Sequence, residues 1–163
     1  MKEKILELSD LFFDEIVSIR RYMHMHPELS FQEFETSNYI KSILKSWDIN
    51  FLDGYANTGI LVNLEGKEPS SRVIALRADF DALPILEEND VEYKSKNEGI
   101  MHACGHDAHT ASMLGALKIL HKTKDHWRGT IKFIFQPAEE RLPGGAKQMI
   151  EEGVLENPNV QHV

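Results

Sequence analysis

The chain has 163 residues, 42% of them hydrophobic, and a formal net charge of −8. That length and composition suit one domain with a real hydrophobic core and exclude a disordered chain. The acidic balance excludes a general nucleic-acid-binding surface, which needs clustered Lys and Arg, and no run of about 18 apolar residues predicts a membrane span.

In chain order, Ile5, Leu8, Leu11, Phe12, Ile16 and Ile19 recur at helical spacing, so the first twenty residues read as an amphipathic helix. Pro27 follows or stops it. The same stretch lacks the apolar core and cleavage site of a secretory signal, so a cytoplasmic location is the expectation. A second helical pattern runs through Phe34, Ile40, Ile43, Leu44 and Trp47. Gly59 to Leu64 and Arg72 to Arg77 are short and β-branched. The Gly, Pro and Ser cluster between them predicts two strands joined by a hairpin-like loop. Residues 84–103 are polar and irregular. Ala108 to Thr123 reads as a helix, Gly129 to Phe135 as a strand, and Gly144-Gly145 opens a short helix through Met149 and Ile150. This order of helices and strands predicts an α/β layered fold.

Three clusters of ligand-type residues fall where strands end or helices begin, the usual place for sites in open α/β sheets. The first is Arg77-Ala78-Asp79-Phe80-Asp81, the second is MHACGHDAH at 101–109, and the third is Gln136-Pro137-Ala138-Glu139-Glu140. Taken singly, Asp79 and Asp81 read as turn or capping carboxylates, Cys104 as a small buried residue, and His106 as a hydrogen-bonded structural histidine. Together they read differently. His102, Cys104, His106 and His109 crowd one short run in which packing and helix formation do not call for them. Gly105 relaxes the backbone so that Cys104 and His106 can turn to one point. Thiolate and imidazole are preferred ligands of zinc-like ions. Adjacent Glu139 and Glu140 point in different directions on an extended backbone, so one can coordinate a metal while the other faces its water. A divalent cation would also offset the cost of burying two carboxylates.

The runs RRYMHMHPELSFQEFETSNYI, ALRADFDALPI, MHACGHDAHTASMLGA and FIFQPAEERLPGGAKQMIEEGVL resemble the metal-dependent amidohydrolases, aminoacylases and related carboxypeptidases. These include hippurate hydrolases, indole-acetyl-amino-acid hydrolases and N-acetyldiaminopimelate deacetylases. The resemblance starts near Ile19, runs to the end of the chain and keeps the family's order. It implies a three-layer sandwich with a mixed, mostly parallel sheet flanked by helices, like di-metal exopeptidases but incomplete. It implies two divalent ions, with Cys104, His106 and Glu140 as ligands and Glu139 as general base. Zinc is favoured by the sulfur and imidazole donors, and manganese, cobalt or nickel also suit a carboxylate-rich site. A supporting catalytic carboxylate is expected in the RADFD run; Asp79 is favoured for it and Asp81 is the alternative. His24 and His26 read as structural, beside a turn at Pro27-Glu28-Leu29.

The resemblance also implies that residues 1–163 are the N-terminal part of a catalytic domain. The inserted dimerisation or lid domain, the C-terminal part and further histidine ligands would be absent, and His162 is a poor substitute for them. The expected substrate is a small N-acyl amino acid or a peptide-like amide, with no nucleic-acid or membrane partner, and the full-length protein would form homo-oligomers. Two other readings stand beside hydrolysis by metal-activated water. One is a truncated, inactive chain that at most binds metal. The other is a cysteine hydrolase with Cys104 as nucleophile, which has no need of the Glu139-Glu140 pair.

Overall fold

The charged and apolar residues that alternate at helical spacing near the N-terminus form one long helix in the computed structural model, which describes residues 1–163. This helix, α1 (Lys2–Met25), ends two residues before Pro27, where proline disfavours helical geometry in the residue before it. A second helix, α2 (Phe34–Ser46), buries Ile40, Ile43 and Leu44. No helix is long and apolar enough to cross a membrane.

Four strands, β1 (Leu52–Tyr55), β2 (Gly59–Glu65), β3 (Val73–Asp79) and β4 (Thr130–Gln136), form one sheet in the order β1-β2-β4-β3. The helix α3 (His106–Lys122) lies between β3 and β4 in sequence, and α4 (Gly145–Glu151) follows β4. Strand parity sets the layers. Ile60, Val62 and Leu64 of β2, with Phe133 and Phe135 of β4, face one way. They pack with Ile19 and Met23 of α1, Ile40 and Leu44 of α2, and Leu114 and Leu117 of α3. Leu61, Ala75 and Ile134 face the other way, onto Met149 of α4 and Val154. The chain is therefore α/β, with a mixed sheet flanked by helices on both faces.

Two expectations about the strands need correction. β2 and β3 are not a hairpin pair, because β4 lies between them. The reason is burial: β4 is apolar on both faces and takes a central position, whereas Leu76 and Arg77 leave β3 exposed at the edge. The sheet is mixed, but it is not mostly parallel. β1 with β2 and β2 with β4 are antiparallel, and only β3 with β4 is parallel. A tight turn joins β1 to β2, which forces opposite directions, while the long connection through α3 permits the parallel pair. β1 itself escapes the sequence reading, since its LDGY run is mostly exposed and has no apolar alternation.

β4 also carries Lys132, which is fully buried. Its Nζ donates to the carbonyls of Val154, at 3.1 Å, and Glu156. Burial lowers its pKa, partly countered by the charge of Glu156.

Phe133 is wholly buried and sits between Val62 and Leu76 in register. Phe133→Ala should therefore cost about 3–5 kcal/mol in urea unfolding. A loss under about 1 kcal/mol, the level of ordinary surface changes, would contradict this core.

Candidate metal centre

The parallel pair β3 and β4 end side by side, and their exits bring the three motif runs together. Asp79 closes β3. Its Oδ2 lies 2.8 Å from Arg77 Nη1, and its Oδ1 lies 2.8 Å from His109 Nδ1. Arg77 Nε also donates to Gln136 Oε1 at 2.7 Å, tying the ends of the two strands.

Asp81, two residues on, is 1% exposed. Its Oδ2 accepts the Ser30 hydroxyl at 2.7 Å and the Glu140 N–H at 3.0 Å. His106 Nδ1 lies 2.9 Å from the Asp81 carbonyl and 3.2 Å from its Oδ1. Burial alone would raise the Asp81 pKa. Hydrogen bonds from His106, Ser30 and the backbone of Glu140 and Glu139 outweigh it and bring the pKa to about 2.

His106 opens α3 and is 2% exposed. With Nδ1 donating to Asp81, its Nε2 points into a ring of carboxylates. Asp79 Oδ1 is 3.6 Å away, Glu140 Oε1 3.7 Å and Glu139 Oε2 4.0 Å. Burial opposes the charged imidazole, but the Asp81 hydrogen bond and the charges of Asp79 and Asp81 raise its pKa overall. Gly105 has φ 86°, the left-handed geometry that turns the chain between Cys104 and His106.

Two sets of donors lie close enough to share a cation. Atoms of Cys104, His106 and Glu140 are all within 4.8 Å of one another, and so are those of Asp79, His106 and His109. The Nε2 lone pair of His106 serves one ion, so the sets are alternatives with respect to it. The first has the stronger physical case. Glu140 Oε1 is buried and has no hydrogen-bond partner, a cost that a cation would remove. Sulfur, nitrogen and carboxylate oxygen also form a zinc-type donor set. In the second set, His109 is 55% exposed and already bonded to Asp79.

The Cys104 thiol has its pKa raised by partial desolvation, by the proximity of the Glu140 carboxylate, and by the charges of Glu139 and Asp79. These surroundings oppose a free thiolate nucleophile and favour a cation that would neutralise the carboxylates.

The remaining histidines lie outside both sets. His24 is buried, with Nδ1 2.7 Å from Asp107 Oδ2 and Nε2 3.1 Å from Glu87 Oε1; it braces α1 against the first turn of α3. His26 Nδ1 contacts the Tyr22 carbonyl at 2.8 Å. His162 pairs through its backbone with β3 at Ile74 and Ala75, well before Asp79. His102 is 4% exposed with both ring nitrogens unpartnered. Burial is the main cause that brings its pKa to about 4. Ser30, which the sequence reading passed over, is a direct partner of Asp81; a lone serine in a loop carries no signal of that contact.

Residues 75–163 match the family model described as peptidase family M20/M25/M40. The chain is 47% identical over 159 residues to an N-acyl-L-amino acid amidohydrolase of Geobacillus stearothermophilus, covering 98% of this chain and 43% of that protein. It is 49% identical over 159 residues to IAA-amino acid hydrolase ILR1-like 2 of Arabidopsis thaliana, covering 96% of this chain and 36% of that one. Among solved structures it resembles the YXEP protein of Bacillus subtilis, described as a dinuclear metal binding peptidase from the M20 family. The TM-score there is 0.86 at 45% identity, over 93% of this chain and 42% of that chain. The chain thus spans well under half the length of these relatives.

Asp81 has its pKa lowered from the ordinary 3.8 to about 2, so its ionised form stabilises the fold above pH 3.8 and that stability is lost as pH falls towards 2. The shift is worth on the order of 2 kcal/mol. Unfolding of wild type and Asp81→Asn, compared across this range, should show a stability gap that closes as pH falls. A gap that stays constant or widens would contradict the hydrogen bonding described for Asp81.

Proposed function

The chain belongs to peptidase family M20/M25/M40, and from that premise we propose that it carries the metal-binding part of an amidohydrolase that cleaves small N-acyl amino acids or peptide-like amides. The observation that carries this reading is the convergence of Cys104, His106 and Glu140, with Glu140 Oε1 buried and unpartnered. Those three residues would hold a divalent ion, zinc by its donors, with manganese, cobalt or nickel as alternatives. The M20 relative described as dinuclear supports a second ion. Bound there, a divalent ion supplies Lewis-acid polarisation of the amide carbonyl and a nucleophilic water at neutral pH.

The chain's own residues divide the remaining work. Asp81 fixes the His106 ring and leaves its Nε2 free as a donor, the role of an outer carboxylate at a metal-ligating histidine. Asp79 lies on the Nε2 side of that ring, so it suits the supporting catalytic carboxylate better than Asp81. Glu139 is 42% exposed, and its nearest basic partner, His106 Nε2, is 4.0 Å away. That leaves its carboxylate free to take a proton from attacking water and return it to the leaving amine nitrogen. The substrate class is supported by the relative named for N-acyl-L-amino acids.

Metal content of the purified chain, together with turnover of N-acetyl and N-benzoyl amino acids, tests this reading. We expect at least one zinc per chain, lost in Cys104→Ser. Glu139→Ala should retain metal and lose turnover by at least ~100-fold, the lower range for removing a general base. Metal binding unchanged in Cys104→Ser, or turnover unchanged in Glu139→Ala, would contradict the assignments. Stoichiometric metal without turnover in wild type would favour a chain that binds metal but does not hydrolyse.

A further inference from the structure

The turn after β4 brings two adjacent carboxylates, those of Glu139 and Glu140, within 4.0 Å of His106 Nε2, and it does so through a residue in an unfavourable conformation. Ala138, immediately before Glu139, has φ 50° and is completely buried. A residue with a Cβ is rarely found in this left-handed region unless its surroundings impose it. Both backbone polar groups of Ala138 are held. Its carbonyl accepts the Gly145 N–H at 2.9 Å. Gly145 approaches so closely that a Cβ on it would lie 2.0 Å from the Pro137 carbonyl oxygen. The Ala138 N–H donates to Glu33 Oε1 at 2.8 Å.

Glu33 sits at the start of α2 and is 0% exposed. Its other oxygen accepts the Thr58 hydroxyl at 3.2 Å, and the Thr58 carbonyl accepts the Ser37 hydroxyl at 2.7 Å. No Lys, Arg or His lies within ion-pair distance of it. Burial raises its pKa, against the lowering effect of backbone hydrogen bonds that include the one from Ala138. A carboxyl group buried without a cation is costly, and this one is spent on orienting backbone.

Building on the metal-centre reading above, we infer that Glu33 is a positioning residue: by accepting the Ala138 N–H it holds Ala138 in the left-handed conformation and so sets the directions of Glu139 and Glu140. Glu33 is not among the metal-donor residues, and its carboxylate contacts are with Thr58 and the Ala138 backbone. It holds the Ala138 N–H, while Asp81 holds the Glu140 N–H two residues on.

Two variants separate this from general stability. Glu33→Gln keeps an acceptor for Ala138, and Glu33→Met keeps most of the volume but has none. Two readouts are taken below the unfolding transition: amide exchange at Ala138 by NMR without metal, and the Co²⁺ dissociation constant by titration of the Cys104 charge-transfer band. We expect Glu33→Gln to stay within ~3-fold of wild type on both. Glu33→Met should exchange at least ~10-fold faster at Ala138 and bind Co²⁺ at least ~10-fold more weakly, the range for lost outer-shell contacts. A lowered Tm with both readouts unchanged in Glu33→Met would overturn the inference. If Glu33→Met does not fold, Glu33→Asp, which draws the acceptor back by one methylene, takes its place with the same two readouts: faster Ala138 exchange with weaker Co²⁺ binding upholds the inference, and both unchanged overturns it. Absence of Co²⁺ binding in wild type would instead overturn the metal-centre reading, and the Ala138 exchange contrast would still decide whether Glu33 holds the turn.

Discussion

The buried carboxylate of Asp81 is the constraint on which the rest of the site depends. It follows the end of β3, yet its partners come from three other places: Ser30 between α1 and α2, His106 at the start of α3, and Glu140 beyond β4. Each is far from it in sequence, so one side chain fixes the relative position of four segments. A buried anion is tolerated only when its lone pairs are satisfied. Asp81 meets that condition without Lys or Arg, through His106, a hydroxyl and backbone N–H groups. In doing so it also turns His106 so that Nε2 faces Asp79, Glu139 and Glu140.

The electrostatics of the cluster follow from that arrangement. Four acidic residues, Asp79, Asp81, Glu139 and Glu140, gather around one imidazole, with Arg77 at the rim. This excess of negative charge holds protons on His106 and Cys104. A divalent cation would replace those protons, which couples metal affinity to pH. The same carboxylates that make Cys104 a poor free nucleophile make it a sound ligand once a cation is present. The alternative set of Asp79, His106 and His109 competes for the same imidazole nitrogen.

The sequence made the chemistry more legible than the sheet. Cys104, His106, Glu139 and Glu140 stand out because packing alone does not call for them, and the structure brings all four to one place. Helices α1, α2 and α3 were readable from apolar spacing. Strand partners were not, because β-branched runs report burial and not neighbours; nothing local in 59–65 or 73–79 says that 130–136 inserts between them. β1 lacked an apolar pattern altogether. Asp79 and Asp81 could not be separated by spacing, since both follow the same strand end. Their distances to the two nitrogens of His106 give them different surroundings. Glu33 and Ser30 were invisible for another reason: their value lies in contacts 105 and 51 residues away in sequence. Polar residues in a loop look the same whether or not such contacts exist.

The most direct measurement is anomalous X-ray scattering at the zinc edge from crystals of the chain grown with zinc. A peak bonded to Cys104 Sγ, His106 Nε2 and a Glu140 carboxylate oxygen, with Glu139 outside bonding distance, is the result the arrangement predicts. Density confined to Asp79 and His109, or none near Cys104, would contradict it.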